Sequence, residues 1–186
     1  MKYLIIFLWA TSAFASSTPD LKKIYLDLLN KPTEKNLAQL KLKCAGDNSL
    51  DLESDNLNET TLKNTQNVTA LRGILYAYKN CTDGGSAESL MIELGSNTLL
   101  KNPASLIEAL AQEKDADKLA SDLAVADNTT TFLTDCADKQ NRPTCLKFFQ
   151  NKIEVLKNTK LEKKFQPLRD QMVLSIENHI KAFDRK

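Results

Sequence analysis

The chain contains 186 residues, with 25 lysine and arginine residues against 24 aspartate and glutamate residues, so its formal net charge is +1. Charges of both signs are interleaved along the chain, which excludes the basic patch or stripe expected of a nucleic-acid-binding protein. No apolar stretch reaches the ~20 residues that a membrane-spanning helix needs, so we also expect no stable membrane insertion.

The N-terminus predicts a secretory signal peptide. Lys2 supplies a positive charge, an uninterrupted apolar run follows it, and Ala13 and Ala15 form a small-residue cleavage pattern. We therefore expect residues 1–15 to be removed and residues 16–186 to fold as a single helical domain. Because Lys2 leaves with the signal peptide, the net charge of the mature chain would be zero.

An exported chain belongs outside the cytoplasm, and we favour the periplasm over the extracellular space. The chain is rich in lysine and asparagine and contains only four cysteines. Small secreted domains commonly carry a much denser disulfide framework.

Beyond the signal peptide, apolar residues recur at three- and four-residue spacing, which predicts helices. Thr18-Pro19-Asp20 begins the first helix, with the proline near its first turn. Lys31-Pro32 ends it, because the residue before a proline disfavours the helical conformation. Thr33 and Asn67 are the expected N-caps of the second and third helices. The polar stretch between those two helices predicts a long loop.

The second half of the chain continues the same pattern. Gly84 and Gly85 are expected to separate two helices, with Ser86 as the N-cap of the fourth. Pro167 predicts a break or kink before the last helix. The remaining helix starts are predicted at turn and capping residues, namely Asn102-Pro103, Asp115, Asn128 and Arg142-Pro143.

Together these patterns predict an all-α fold. About seven to nine short helices would form an irregular bundle or an α-solenoid-like stack of helical hairpins, stapled by two disulfides. No fixed-period motif of the tetratricopeptide or ankyrin kind occurs, and the motifs identify no family. We therefore interpret the apolar helix faces as core.

The four cysteines are expected to form structural disulfides, because export places an even number of them in an oxidising compartment. We favour Cys44 paired with Cys81 and Cys136 paired with Cys145, since each pair closes a local loop between helix ends. The spacing excludes a C-x-x-C redox motif, and it lacks the close cysteine pairs of a zinc site.

Two groups of residues were considered as catalytic candidates, and neither supports an enzyme. His179 is the only histidine and lies one helical turn after Ser175, but no orienting group, oxyanion site or pocket is signalled with them. Glu113, Asp115 and Asp117 could imitate an acid–base pair. Aspartates at a helix start, favoured by the helix dipole, explain them more simply. We expect no catalytic residues.

Two further features resemble ligand sites, and we expect neither a metal nor a cofactor. Residues 47–58 imitate a calcium-binding loop, but Leu52 stands where such a loop has glycine and Asn58 where it has a bidentate glutamate. The Gly-Gly-Ser sequence at 84–86 could present N–H groups to an anion. It lacks the lysine and the preceding strand of a phosphate-binding loop.

The chain also contains four N-x-T sequons, at Asn58, Asn67, Asn80 and Asn128. Their glycosylation depends on the source organism. Asn80 is the poorest candidate of the four, because it lies beside Cys81.

By elimination, the sequence favours an exported, non-enzymatic helical protein that binds another protein as an adaptor or inhibitor. The alternative is a carrier of a small apolar ligand, with a cavity lined by Phe148, Phe149, Phe132 or Tyr78. A dry pocket above ~300 Å³ would favour the carrier. An exposed apolar patch would favour protein binding.

Overall fold

A computed structural model of the protein describes residues 20–44, 50, 61, 63–82, 84–126 and 141–183. Eight helices and no strand occur in these ranges, which confirms the predicted all-α fold. The helices are α1 (Leu21–Asn30), α2 (Glu34–Lys43), α3 (Val68–Asn80), α4 (Gly84–Ile92, Glu93–Thr98 and Leu99–Lys101 in succession), α5 (Pro103–Leu110), α6 (Ala116–Val125), α7 (Arg142–Asn158) and α8 (Gln166–Phe183).

The helix starts in the N-terminal half follow the capping residues of the sequence. The side chain of Asp20 accepts a hydrogen bond from the backbone N–H of Lys22 at 3.2 Å. The hydroxyl of Thr33 and the amide oxygen of Asn67 accept equivalent bonds at 3.3 Å and 3.1 Å at the starts of α2 and α3. Each bond satisfies an N–H that the first turn of a helix leaves without an intrahelical acceptor. The predicted N-caps of α2 and α3 are thus confirmed, and the structure shows Asp20 as the N-cap of α1.

Two predicted boundaries are wrong in position. α4 begins at Gly84, so Ser86 lies inside its first turn and is not the N-cap. The first N–H groups of a helix have no intrahelical acceptor in any case, so glycine is tolerated there. α7 ends at Asn158, and Pro167 lies in the first turn of α8, where its missing N–H costs nothing.

Several predictions fall outside the described residues. These are the signal peptide, the acidic stretch 47–58 apart from Leu50, and the segment from Asn128 through Phe132 and Cys136. Among the helices that the structure describes, none is long and apolar enough to cross a membrane.

A single hydrophobic cluster runs through the described helices. α3 packs against α1, α2, α4 and α5, and α8 packs against both α6 and α7. The stripe predicted for the last helix is buried at Leu168, Met172 and Ile176. The N-terminal helices and the C-terminal trio are connected through α4, whose middle part contacts both α5 and α6.

One disulfide, rather than the predicted two, lies within the described part of the chain. Cys44 and Cys81 are bonded, with their Cα atoms 5.1 Å apart, which confirms the first predicted pair. Each cysteine is the residue just after its helix, so the bond joins the C-terminal ends of α2 and α3. Cys145 is buried, and no described cysteine has a free thiol. Its predicted partner, Cys136, lies outside the described residues, so that pairing stays a prediction.

The middle part of α4, Glu93–Thr98, is a π-helix that the sequence did not predict. Gly95 lies in it, where a Cβ atom would collide with the backbone carbonyl oxygen of Leu123 and the Cβ of Ala126. The absence of a side chain at Gly95 therefore lets the C-terminal end of α6 lie directly on α4. Short π-helical stretches often mark positions where a helix serves a special packing or functional need.

We expect Gly95→Ala to lower the free energy of unfolding by about 2 kcal/mol, as is typical of overpacking a core. Backbone atoms of α6 would have to move, and the better helix propensity of alanine offsets only part of that loss. Gly73→Ala is the comparison, because its added Cβ meets the side chain of Leu28 and no backbone atom, so its relief requires movement of a side chain only. Denaturant unfolding of both variants measures the difference. If Gly95→Ala loses no more unfolding free energy than Gly73→Ala, the contact between Gly95 and the end of α6 is not rigid.

Candidate functional site

A cleft of about 290 Å³ opens between the end of α3 and one face of α6. We call it the α3–α6 cleft. Its lining residues are Tyr78, Lys79, Ala87, Asp115, Lys118, Leu119 and Asp122. Lys118 and Asp122 both lie on α6 and are four positions apart, so they share one face of that helix. The cleft therefore combines apolar surface with charges of both signs.

Lys79 is the paired charge of the cleft. Its Nζ lies 3.1 Å from Asp115 Oδ2 and 3.9 Å from Glu113 Oε2. Asp115 occupies the N-cap position of α6 without making a capping hydrogen bond, because its carboxylate is directed to Lys79. Asp117 lies in the first turn of α6, as predicted, and is exposed. Of the three carboxylates considered from the sequence, the structure brings Glu113 and Asp115 together on Lys79 and leaves Asp117 apart.

Asp122 and Lys118 are the unpaired charges of the cleft. Within the described part of the chain, neither side chain makes a hydrogen bond or an ion pair. Asp122 is half-buried, whereas Lys118 is exposed. Tyr78 lies beside them and donates its hydroxyl to Met91 Sδ at 3.6 Å. Burial, and secondarily the negative charge of Asp122, raises the pKa of Tyr78 above its ordinary value of 10.0.

We expect Asp122→Asn to lower the pKa of Tyr78 while leaving it above 10.0, because burial is the larger cause of the shift. A pKa raised in the folded state means that folding favours the protonated phenol. This contribution to stability is therefore fully present below pH 10.0 and is lost as the pH rises further. A titration followed by NMR with labelled tyrosine measures the pKa of Tyr78. Asp117→Asn is the control, since Asp117 lies outside the cleft; an equal effect of both variants would contradict the assignment.

A second cavity, of about 570 Å³, lies along one face of α7. Its described lining is mostly polar and contains Thr144, Lys147, Phe148, Gln150, Asn151 and Glu154. Phe149, in contrast, is buried in the core, and its ring meets that of Phe148 edge-to-face at 5.5 Å. Tyr78 belongs to the α3–α6 cleft, and Phe132 lies outside the described residues. The three described aromatic residues that were predicted to line an apolar cavity, Phe148, Phe149 and Tyr78, thus do not share either of these two cavities.

Ser175 and His179 face different partners. The Ser175 hydroxyl donates to the hydroxyl of Ser121 in α6 at 3.0 Å. The His179 ring lies edge-to-face against Phe149, with a centroid distance of 5.0 Å. These contacts tie α8 to α6 and to α7. The hydroxyl and the imidazole are therefore both involved in helix packing.

One buried charged residue, Lys152, was not among the candidates predicted from the sequence. Lys152, on α7, is fully buried, and its Nζ donates to the carbonyl oxygens of Ala124, at 3.0 Å, and of Ala126. The ammonium group also lies 4.8 Å from the ring centroid of Phe148. The signal was present in the sequence: Lys152 lies between Phe149 and Leu156 on the buried face of α7. These contacts identify it as a cap for the C-terminal end of α6.

The remaining candidates from the sequence are metal ligands and the asparagines of the N-x-T sequons. No group of three or more histidine, cysteine, aspartate or glutamate side chains that could hold a metal ion occurs in the described ranges. Two sequon asparagines make local hydrogen bonds, since Asn67 caps α3 and Asn80 donates to the carbonyl oxygen of Tyr76. Asn58 and Asn128 lie outside the described residues.

Comparison of the chain with protein-family models, with curated proteins and with solved structures finds no significant match. The Cys44–Cys81 disulfide fits an extracytoplasmic protein, because such bonds persist in oxidising compartments.

Proposed function

We propose that the protein is an exported, non-enzymatic module that binds another protein, as an adaptor or inhibitor, and that the α3–α6 cleft is its binding site. One observation carries this proposal. The cleft presents Lys118 and Asp122, two charges without partners in the described structure, one helical turn apart on α6 and beside the apolar lining residues Tyr78 and Ala87. A partner that supplies the complementary charges gains both attraction and orientation.

The charged and polar side chains among the lining residues of both cavities favour this function over the carriage of an apolar ligand. A carrier site is lined mainly by apolar and aromatic side chains, with few polar groups. Four of the seven described residues that line the α3–α6 cleft are charged, and Phe148 is the only apolar residue in the described lining of the second cavity. Among the described residues, the large apolar side chains that are exposed, Leu42 and Leu174, lie on separate helices, so they do not form the exposed apolar patch that would favour protein binding, and the proposal depends on the charges of the cleft.

We place the protein in the periplasm, on the basis of the signal-peptide pattern and the modest cysteine content. The disulfide between α2 and α3 supports an oxidising compartment of this kind.

The test is affinity capture from the native compartment with a charge-reversed variant. The double variant Lys118→Glu/Asp122→Lys reverses both cleft charges, and Lys114→Glu/Asp117→Lys is its matched control, because it exchanges the same residue types just outside the cleft. We expect proteins that bind the wild type and the control variant to be lost from the cleft variant. Capture that is unchanged by the cleft variant would contradict the proposal. A small apolar ligand found by native mass spectrometry, without a protein partner, would favour the carrier instead.

A further inference from the structure

We propose that the α3–α6 cleft receives a single lysine or arginine side chain of the partner protein, with the cation of that side chain on Asp122. This inference rests on the proposed function and specifies the chemistry that the cleft recognises. It is supported by the distribution of charge in the cleft, by the size of the cleft and by the nature of its apolar surface.

The charges of the cleft leave one carboxylate in need of a cation. Lys79 is already held by Asp115 and Glu113. Lys118 is exposed and keeps its hydration, whereas Asp122 is half-buried and has no partner in the described structure. A carboxylate that has lost part of its hydration gains more from a bound cation than an exposed charge gains from an anion. A positive group bound at Asp122 therefore gains more than a negative group bound at Lys118.

An anionic ligand fits the cleft less well than a cationic one. Among the residues that line the cleft, the carboxylates of Asp115 and Asp122 equal the ammonium groups of Lys79 and Lys118 in number, and Glu113, just outside the lining, adds a third carboxylate beside Lys79. A phosphate or carboxylate would have to displace the carboxylates from Lys79 or bind only at the exposed Lys118. Like charges at such short range oppose binding.

The size and surface of the cleft fit one long side chain. A volume of about 290 Å³ is just below the range of about 300–1,000 Å³ that is typical of pockets for complete small ligands. Tyr78, Ala87 and Leu119 supply apolar surface beside the charged groups. Lysine and arginine bury an aliphatic stem against such surface while the charged end seeks a polar partner, and the ring of Tyr78 is itself favourable for a cation.

The experiment is an NMR titration of the purified protein with blocked glycine-rich pentapeptides that carry one central test residue. The test residues are lysine, arginine, norleucine and glutamate. We expect amide shifts that saturate for lysine and arginine and that concentrate on the end of α3 and on residues 118–122 of α6. Norleucine has the stem of lysine without its charge, so norleucine and glutamate should produce no saturable shift. An equal response to norleucine would overturn the proposal.

Two single variants locate the cation. Asp122→Asn should weaken the binding of the lysine peptide at least about 10-fold, as expected for the loss of a charge-assisted hydrogen bond. Asp117→Asn, the same change on the same helix outside the cleft, should leave the affinity unchanged. Thermal unfolding of both variants checks that the fold is intact. Equal affinities of the wild type and of a folded Asp122→Asn variant would overturn the assignment to Asp122.

The outcomes separate this inference from the proposed function. If no basic peptide binds but the cleft double variant still loses its captured proteins, the basic-side-chain inference is wrong and the binding function stands. If the lysine peptide binds at Asp122 while capture is unchanged by the double variant, the cleft recognises a basic side chain and the proposed protein-binding role of the cleft is wrong.

Discussion

Replacing Cys44 and Cys81 by alanine is expected to lower the free energy of unfolding by about 4 kcal/mol, the largest single effect we anticipate. The two residues are separated by 37 positions, so the bond closes a long loop and restricts the unfolded chain strongly. Both cysteines are buried, with exposures of 3 % and 2 %. Their replacement therefore also removes packing at the junction of α2 and α3.

Denaturant unfolding with and without a reducing agent measures this effect. With Cys44–Cys81 as the only bond broken, the reduced wild type should lose less stability than the double alanine variant, because it keeps the packing of both buried sulfur atoms. A larger loss on reduction would indicate that the predicted Cys136–Cys145 bond is broken as well. The variant Cys136→Ala/Cys145→Ala is the comparison, because it leaves Cys44–Cys81 intact and tests the second predicted pair. Intact mass gives the number of bonds directly, since each disulfide removes two hydrogens. A loss below about 1 kcal/mol for the Cys44/Cys81 variant would show that the crosslink constrains the unfolded chain little.

The helices themselves could be predicted because their start signals are local. Asn67 caps α3 through a hydrogen bond to a residue only three positions away, and Pro103 begins α5 because its ring fixes a helical backbone angle. The Cys44–Cys81 pairing was predictable for a related reason, since both cysteines lie at the ends of helices already assigned. Such features need no knowledge of how distant helices pack.

The parts that could not be predicted depend on contacts between distant residues. The π-helix around Gly95 fits the approach of α6 at Leu123, and spacing within α4 gives no sign of that approach. The α3–α6 cleft likewise exists only because the end of α3 meets a helix far along the chain. In sequence, Asp115 has the pattern of a helix cap. In the structure, Lys79 takes its carboxylate instead.

The role of Lys152 in the core also could not be predicted from the sequence, because it depends on contacts with a distant helix. The three-and-four spacing from Phe148 and Phe149 places it on the inner face of α7, where a lysine normally has no reason to lie. Its acceptors, the carbonyl groups at the end of α6, are about 28 residues away in sequence. Whether a buried cation is tolerated depends on those acceptors, so only the tertiary structure explains it.

Replacing Lys152 by methionine is expected to cost about 3 kcal/mol of unfolding free energy. Methionine nearly preserves the volume and the stem of the side chain, so the change removes mainly the ammonium group. The carbonyl oxygens of Ala124 and Ala126 then lose their donor, and buried acceptors left unsatisfied cost about 1–3 kcal/mol each. The stabilising contact between the cation and the ring of Phe148 is lost as well.

Lys147→Met is the matched control, because Lys147 lies on the same helix and is exposed. Its replacement should change stability by no more than about 0.5 kcal/mol. Denaturant unfolding gives both values, and hydrogen exchange of the amides at the end of α6 locates the effect, since loss of the cap should speed exchange there first. Equal stabilities of the two variants, or unchanged exchange in α6, would contradict the role of Lys152 as the cap that holds α6 against α7.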